Sequence, residues 1–222
     1  MSDVPQRKSI AISRQQGSGG SYIGRAVAER LGLRYFDREM LRIAAEYLGE
    51  QSSKKDGRPG DSWFERLGTM YAIGSLDTGY VPPSPTVLYE GQLVGIEDRL
   101  IREIVDDHVA VIVGRGAAQI LRGDPGVVTV FVHAPEHWRV DRVQQVYKTA
   151  DHAQALRMVR QSDQERTRFI RRVAEVEWAD PRCYDLAINS MTLGFDGAVD
   201  LIVRSVTARS VEDLDHVIQQ KR

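Results

Sequence analysis

A glycine-rich segment, SRQQGSGGSYIG at residues 13–24, carries the residue types and spacing that bind phosphate. It follows a short apolar run, SIAIS, and leads into a stretch whose apolar residues recur every four positions. Glycines allow backbone N–H groups to converge on one point, and a helix that starts there adds partial positive charge. The order strand, glycine loop and helix therefore predicts a phosphate site.

The segment departs from the common phosphate-loop signature, G-x-x-x-x-G-K-[ST], at the lysine. With Ser21 at the Ser/Thr position, where its hydroxyl could bind a metal ion, Gly20 replaces the lysine and Arg14 replaces the first glycine. We hypothesise that Arg14, or an arginine from elsewhere in the chain, supplies the missing charge. The candidate phosphate-binding residues of the loop are Gly17, Ser18, Gly19, Gly20, Ser21 and Tyr22.

Two other interpretations of this loop stay open. The first is a tight strand-to-helix turn without a ligand. The second is a dinucleotide fingerprint, because Asp37 lies 20 residues after Gly17 at the end of a second apolar run. The G-x-G-x-x-G pattern is incomplete, however, since Tyr22 stands at its third glycine.

Arginines are concentrated between residues 139 and 172. This window holds nine Lys or Arg against four Asp or Glu, in a chain of formal net charge −1. Guanidinium groups suit a bidentate grip on phosphate oxygens. Arg139 and Arg142 are three residues apart and share a helical face. The alternative for such a run is a solvated helix surface with acidic partners.

Five apolar runs alternate with helical patterns, which predicts an α/β fold with a parallel sheet and helices on both faces. The predicted strands are residues 9–13, 34–36, 109–113, 127–132 and 185–190. Ligands of such sheets lie beyond the carboxyl ends of the strands. Arg115, in the corner VGRGAA, would stand at that edge and face the first loop, unless the corner is a simple turn.

Long helices are predicted around these strands. REMLRIAAEYLG follows Asp37, a long amphipathic helix covers residues 87–107, and a further helix closes the chain. Residues 50–62 are polar and glycine-rich, which predicts a mobile loop.

Composition narrows the class of protein. The 222 residues are 42% hydrophobic with balanced charge, which argues against a general nucleic-acid binder. The one cysteine, Cys183, excludes an internal disulfide framework. No window approaches the ~20 apolar residues of a membrane helix, and residues 1–8 are polar without an apolar run. We therefore expect no membrane association and a cytoplasmic location.

Taken together, these segments resemble the nucleoside monophosphate kinases, and specifically the cytidylate kinase-like family. The resemblance covers most of the chain outside about 50–86, and its most specific part combines DQERTRFIRR with WADPRCYDLAINS. It implies a P-loop kinase-like fold, with a parallel five-stranded sheet flanked by helices in one domain. It also implies a helical acceptor-binding insert at about 38–108 and an arginine-rich lid at about 144–178.

The resemblance implies an ATP- and Mg²⁺-dependent transfer of a phosphoryl group to a nucleoside monophosphate, with CMP or dCMP as first expectation. ATP would lie on the glycine loop, with Ser21 as the Mg²⁺ ligand. The residues it implies on the acceptor side are Asp37, Arg42, Arg115 and Asp163. With Arg14 added from the loop analysis, the arginines expected to act on the transferring group are Arg14, Arg139, Arg142, Arg166 and Arg168.

The chain departs from the family pattern at two positions. Gly20 replaces the loop lysine, and Val113 stands where such kinases carry an aspartate ahead of the Gly-Arg corner. Two alternatives therefore remain beside the kinase. One is a nucleotide-binding regulator of the same fold with little activity, and the other is a small-molecule kinase with a non-nucleotide acceptor.

Overall fold

The computed structural model describes residues 8–41, 90–148 and 151–207, with side chains in the middle range described from residue 98 onward. Arg42, the predicted loop at 50–62 and most of the predicted insert lie outside these residues. The five strands are β1 (Ser9–Arg14), β2 (Arg34–Phe36), β3 (Ala110–Val113), β4 (Val127–His133) and β5 (Leu186–Asn189). All five predicted strands are confirmed, with each end within one residue of its predicted position.

The strands form one sheet in the order β2-β3-β1-β4-β5, and every neighbouring pair is parallel. The central strand β1 pairs with β3 through Ile12 and Val113 and with β4 through Arg14 and Val132. Because all strands are parallel, the segments that follow them meet at one edge of the sheet. The glycine loop leaves the middle of that edge.

Helices follow the strands as the alternating pattern predicts. Helix α1 (Gly20–Leu31) follows β1 and ends at Gly32, and residues 38–41 begin a helical turn after β2. The other helices are α2 (Glu90–Asp107), α3 (Ala117–Ile120), α4 (Glu136–Tyr147), α5 (His152–Ala174) and α6 (Ser190–Thr207).

The sheet carries an apolar core on each face because its buried strands alternate their side chains. On one face Ile10 and Ile12 pack with apolar residues of α1 and α6. On the other face Ala11 and Ile112 pack with apolar residues of α2 and α3. The two cores fix the carboxyl end of β1, from which Arg14 extends.

Helices α4 and α5 pack on each other through Val140, Val143, Ala155 and Val159. Asp151 caps α5, since its carboxylate accepts the Gln154 N–H at 2.6 Å. This pair of helices carries most of the arginine-rich window to the edge of the sheet where the glycine loop lies. Within the described residues, no helix is long and apolar enough to cross a membrane.

The segment between α5 and β5 is hydrogen-bonded to strands β1 and β4. The buried Trp178 donates its indole N–H to the Ser13 hydroxyl at 2.7 Å, and its carbonyl accepts the Tyr184 hydroxyl at 2.7 Å. Asp185 accepts both the N–H and the hydroxyl of Thr129, at 2.7 and 2.8 Å. The specific motif WADPRCYD therefore supports the strand that ends at Arg14.

Candidate active site

The glycine loop takes a conformation that its glycines make possible. Gly17 and Gly19 have φ values of 82° and 80°, in the left-handed region that side chains rarely adopt. A Cβ on Gly17 would lie 2.5 Å from the carbonyl oxygen of Arg139, so the loop runs directly against α4. The N–H groups of Gly20, Ser21 and Tyr22 lie in the first turn of α1 and have no partner one turn before them.

The side chain of Arg14 occupies the space beside Gly20. A Cβ on Gly20 would lie 2.5 Å from the Cβ and 2.9 Å from the Cγ of Arg14. The guanidinium of Arg14 lies directly over Gly114, which has a φ of 92° and no room for a side chain. The loop therefore has a glycine in place of its lysine because the side chain of Arg14 fills that space.

No group in the described part of the chain pairs with the Arg14 guanidinium. Among the described residues it forms no hydrogen bond or ion pair, although burial and the nearby charge of Arg166 lower its pKa to about 9. It remains charged at pH 7. No described residue pairs with this half-buried cation, and an arginine in such a position suits an anionic ligand.

The loop is anchored by residues that directly follow β4 and β5. Ser18 is fully buried, and its carbonyl accepts the Ser190 hydroxyl at 2.7 Å. The side chain of Gln15 accepts the Ala134 N–H at 3.2 Å beyond β4. These contacts hold the loop rigid, which favours a preformed binding site.

Asp163 of α5 connects the loop with two of the predicted arginines. Its carboxylate accepts the Gln16 N–H at 2.9 Å, Arg139 Nη1 at 2.6 Å and Arg166 Nη1 at 3.3 Å. The side chain of Arg139 is 6% exposed and also donates to the Ala134 and Gln16 carbonyls. Arg139 thus holds the loop against α4 and α5, while Arg166 is close enough to Arg14 to affect its charge.

Arg142 lies in an aromatic cluster beside the loop. Its guanidinium carbon is 4.4 Å from the ring centroid of Phe195 and 5.6 Å from that of Trp138. Tyr22 is 58% exposed and its ring lies 5.4 Å from Phe195. Phe195 also contacts the position where Gly19 would carry a Cβ. The cluster offers a stacking surface for a planar group next to the start of α1.

The predicted acceptor residues fall on the other side of Arg14. Asp37 follows β2 and accepts the N–H groups of Glu39 and Met40 at 3.0 and 3.1 Å. Arg115 follows β3 with a φ of 51°, an uncommon conformation for a residue with a side chain. The negative charge of Asp37 raises the pKa of Arg14, which places Asp37 near the Arg14 guanidinium.

Arg168 does not join the other site arginines. It is exposed on the outer side of α5, where it lines an open groove of about 410 Å³ together with Arg160, Arg171 and Glu136. The guanidinium of Arg160 is already held by Glu136 at 2.8 and 2.9 Å. The resemblance grouped Arg166 and Arg168 as lid arginines, but residues two apart on a helix do not share a face, and Arg168 is the exposed one of the two.

The described residues hold no group of three or more His, Cys, Asp or Glu that could enclose a metal ion. Ser21 is exposed in the first turn of α1, and Asp37 ends the neighbouring part of the sheet edge. This sparse set fits Mg²⁺, which keeps several waters and is bound in kinases largely by phosphate oxygens. The residues present therefore suit an ion that arrives with a nucleotide.

Two site residues escaped the sequence analysis. Phe195 follows Gly194, whose φ of 68° interrupts α6, but a single aromatic residue in an apolar helix gives no signal of a site. Gln16 precedes the first glycine of the loop and was assigned no role from the sequence, yet it contacts both α4 and α5. Both depend on which elements fold together, which no local pattern reports.

The structure orders the site along the edge of the sheet. Asp37 and Arg115 follow β2 and β3, Arg14 and the glycine loop follow β1, and Phe195 lies in the helix after β5. From one edge to the other the order is acidic and basic groups, the Arg14 cation with backbone donors, and an aromatic surface. Such an edge can hold an extended ligand with charge at its centre.

Comparison with known proteins agrees with this architecture. A solved structure of an uncharacterized protein from Eubacterium ventriosum is similar over 91% of this chain and 100% of its own, with 22% identity and a TM-score of 0.67. A gluconokinase from Sinorhizobium meliloti (17% identity, 99% and 100% covered, TM-score 0.48) and a shikimate kinase from Bacteroides thetaiotaomicron (14%, 88% and 96%, 0.47) also match.

No curated protein matches the sequence. The cytidylate kinase-like family matches residues 9–192, most of the chain and all of the sheet. The glycine loop, the five-stranded parallel sheet and the segment WADPRCYDLAIN all fall within that match, as the resemblance predicted. The chain belongs to the cytidylate kinase-like family and has the P-loop kinase fold.

Proposed function

We propose that the protein transfers the terminal phosphoryl group of ATP to a nucleoside monophosphate, with CMP or dCMP as the first expected acceptor. The observation that carries this proposal is the exchange of side chains between positions 14 and 20. Arg14 fills the space that a residue at 20 would occupy and brings to the glycine loop a positive charge that no described residue pairs. A phosphate loop that had lost its function would have no reason to keep this charge.

The phosphates of ATP would lie against the first turn of α1. There the N–H groups of Gly20, Ser21 and Tyr22 point away from the helix, and its dipole favours negative charge. Arg14 adds a full charge beside them. Phosphoryl transfer depends mainly on such positioning and charge neutralisation, because the protein forms no bond to the moving group.

The base of ATP would stack in the aromatic cluster. Phe195 lies against the loop at Gly19, and Arg142 covers its ring at 4.4 Å. A planar base can pack against both the ring and the guanidinium. We therefore propose a base-binding role for Arg142, in place of contact with the transferring phosphoryl group.

The acceptor would lie on the side of Asp37 and Arg115, with its phosphate close to Arg14. Arg14 and Arg166 are like charges near one another, and a phosphoryl group between them would relieve their repulsion. Bound Mg²⁺ would neutralise the nucleotide phosphates, with the Ser21 hydroxyl as the candidate protein ligand. We propose that α4 and α5 act as a lid that keeps water from the reaction.

A regulator that binds nucleotide without turnover is the second candidate. It is favoured by the apolar Val113, which is fully buried at the end of β3 and supplies no carboxylate beside the loop. The kinase and the regulator both bind ATP, so binding alone does not separate them.

The test is ADP formation from ATP and Mg²⁺ with CMP, dCMP, UMP, AMP, GMP or dTMP, and with no acceptor. Turnover that requires CMP or dCMP supports the proposal. ATP binding, measured by thermal shift on the same sample, together with no turnover on any acceptor supports the regulator. Turnover that appears only with a non-nucleotide alcohol would assign a small-molecule kinase.

A further inference from the structure

Gln16 is the loop residue whose contacts the proposed reaction leaves unexplained. All of its polar groups are engaged outside the loop. Its N–H donates to Asp163 Oδ1 at 2.9 Å, and its carbonyl accepts Arg139 Nη1 at 3.0 Å. Its side-chain oxygen accepts Arg166 Nη2 at 3.2 Å, and its side-chain N–H group donates to the Tyr147 hydroxyl at 3.3 Å.

These partners belong to two different helices. Arg139 and Tyr147 stand near the two ends of α4, whereas Asp163 and Arg166 share one turn of α5. Asp163 also binds both arginines, so the five residues form one connected network of hydrogen bonds. A single loop residue therefore joins the phosphate loop to both helices of the arginine-rich region.

The contacts of Gln16 oppose the repulsion between two like charges, those of Arg14 and Arg166. Arg14 and Arg166 are close enough for their charges to interact, and like charges repel each other across a part-buried site. Asp163 supplies an opposite charge at 3.3 Å, and the Gln16 side chain supplies a second acceptor that belongs to the loop itself.

We propose that Gln16 is a positioning residue that aligns Arg166 with the phosphate loop, so that the two guanidiniums of Arg14 and Arg166 face the same phosphoryl group. This inference rests on the proposed function for its effect on rate. The side chain of Gln16 acts through Arg166, so its loss lowers kcat more than it weakens ATP binding.

Gln15 provides a matched control. It is the same residue type at the adjacent loop position, but its side chain accepts the Ala134 N–H instead of bonding to α5. The experiment compares Gln16→Leu, Gln16→Glu and Gln15→Leu in the full chain. It measures kcat and KM for ATP, and amide hydrogen exchange of peptides from residues 152–174 without nucleotide.

We expect Gln16→Leu to lower kcat about tenfold or more with a nearly unchanged KM for ATP. Gln16→Glu recovers most of kcat because its carboxylate still accepts from Arg166. Gln16→Leu also speeds hydrogen exchange in α5, whereas Gln15→Leu, which removes a contact to Ala134 and none to α5, leaves this exchange close to wild type.

Equal effects of Gln16→Leu and Gln15→Leu on the exchange of α5 would overturn the inference, as would a change in KM for ATP alone. A wild-type protein without turnover would instead refute the proposed function. In that case the exchange of α5 still decides whether Gln16 holds the helix, because it is measured without nucleotide.

Discussion

At the scale of single residues, the site depends on two positions that have exchanged side chains. The usual phosphate loop has a glycine where this chain has Arg14 and a lysine where it has Gly20. The space over the loop is filled in both cases, but from the strand before the loop instead of from the helix after it. We therefore propose that Arg14 supplies the positive charge that the loop lysine would otherwise carry.

The exchange predicts how substitutions at both positions combine. Gly20→Lys alone should lower ATP affinity and stability, because its Cβ would lie 2.5 Å from that of Arg14. The double variant Arg14→Gly with Gly20→Lys restores the common loop and should recover activity relative to either single variant. Steady-state kinetics of the three variants measure this coupling. Strictly additive losses would show that the two positions do not share one space.

The charge of Arg14 also predicts a pH dependence. Burial lowers its pKa from 12.5 to about 9, so its proton is lost as pH rises through about 9, well before an exposed arginine would lose it. The value of kcat/KM for ATP, which reports the free enzyme, should fall over that range. Arg14→Ala should lack this fall while retaining any slope shared by both proteins. A wild-type profile that stays flat to pH 10 would argue against Arg14 as the phosphate cation.

At the scale of elements, each segment of the site has a distinct duty. The loop and α1 present backbone donors, α5 presents Arg166, and α6 presents Phe195. The segment between α5 and β5 contacts no part of the proposed ligand and instead fixes the end of β1 through Trp178 and Ser13. The most specific sequence motif is thus a structural support for the site.

We therefore expect a substitution of Trp178 to lower the stability of the fold while leaving the residues of the proposed ligand site in place. Trp178→Phe removes the indole N–H and leaves the Ser13 hydroxyl without its donor, which should lower the free energy of unfolding by about 1–3 kcal/mol. Urea unfolding measures the change. Trp138→Phe is the control, since Trp138 is half-buried in the aromatic cluster and should change stability less. Equal stabilities of the wild type and Trp178→Phe would remove this support from the account.

The aromatic cluster on α4 and α6 makes a prediction about the base of the nucleotide. Arg142→Ala removes the cation beside Phe195 and should weaken ATP binding by about 1–2 kcal/mol, about five- to thirtyfold in Kd. Binding of inorganic tripolyphosphate, which has no base, should hardly change. Calorimetry with both ligands separates the effects. Equal weakening of both would assign Arg142 to the phosphates instead.

At the scale of the whole molecule, the sheet order arranges the site as a line. The predicted acceptor residues follow β2 and β3, the phosphate loop follows β1, and the aromatic cluster is completed by α6 after β5. A donor nucleotide at one side and an acceptor at the other would meet over Arg14. The order of the strands therefore matches the direction of the proposed transfer.

Much of this arrangement could be predicted from the sequence because the strands of a parallel α/β fold are apolar runs that end at glycine-containing turns. All five strands and the loop at Gly17–Gly20 followed from such local patterns. The separation of Arg142 from Arg139 and Arg166, which both bind Asp163, did not, since it depends on how α4 and α5 pack against the loop. The steric exclusion between Arg14 and Gly20 likewise needed coordinates.

The most direct measurement follows the terminal phosphoryl group of ATP by ³¹P NMR with CMP and Mg²⁺ at pH 7, for the wild type and Arg14→Ala. We predict that CDP and ADP accumulate together in the wild type and that Arg14→Ala forms them about 10³-fold more slowly, as for an arginine that stabilises a transferring phosphoryl group. Bound ATP that yields no CDP, or equal rates in the two proteins, would contradict the account.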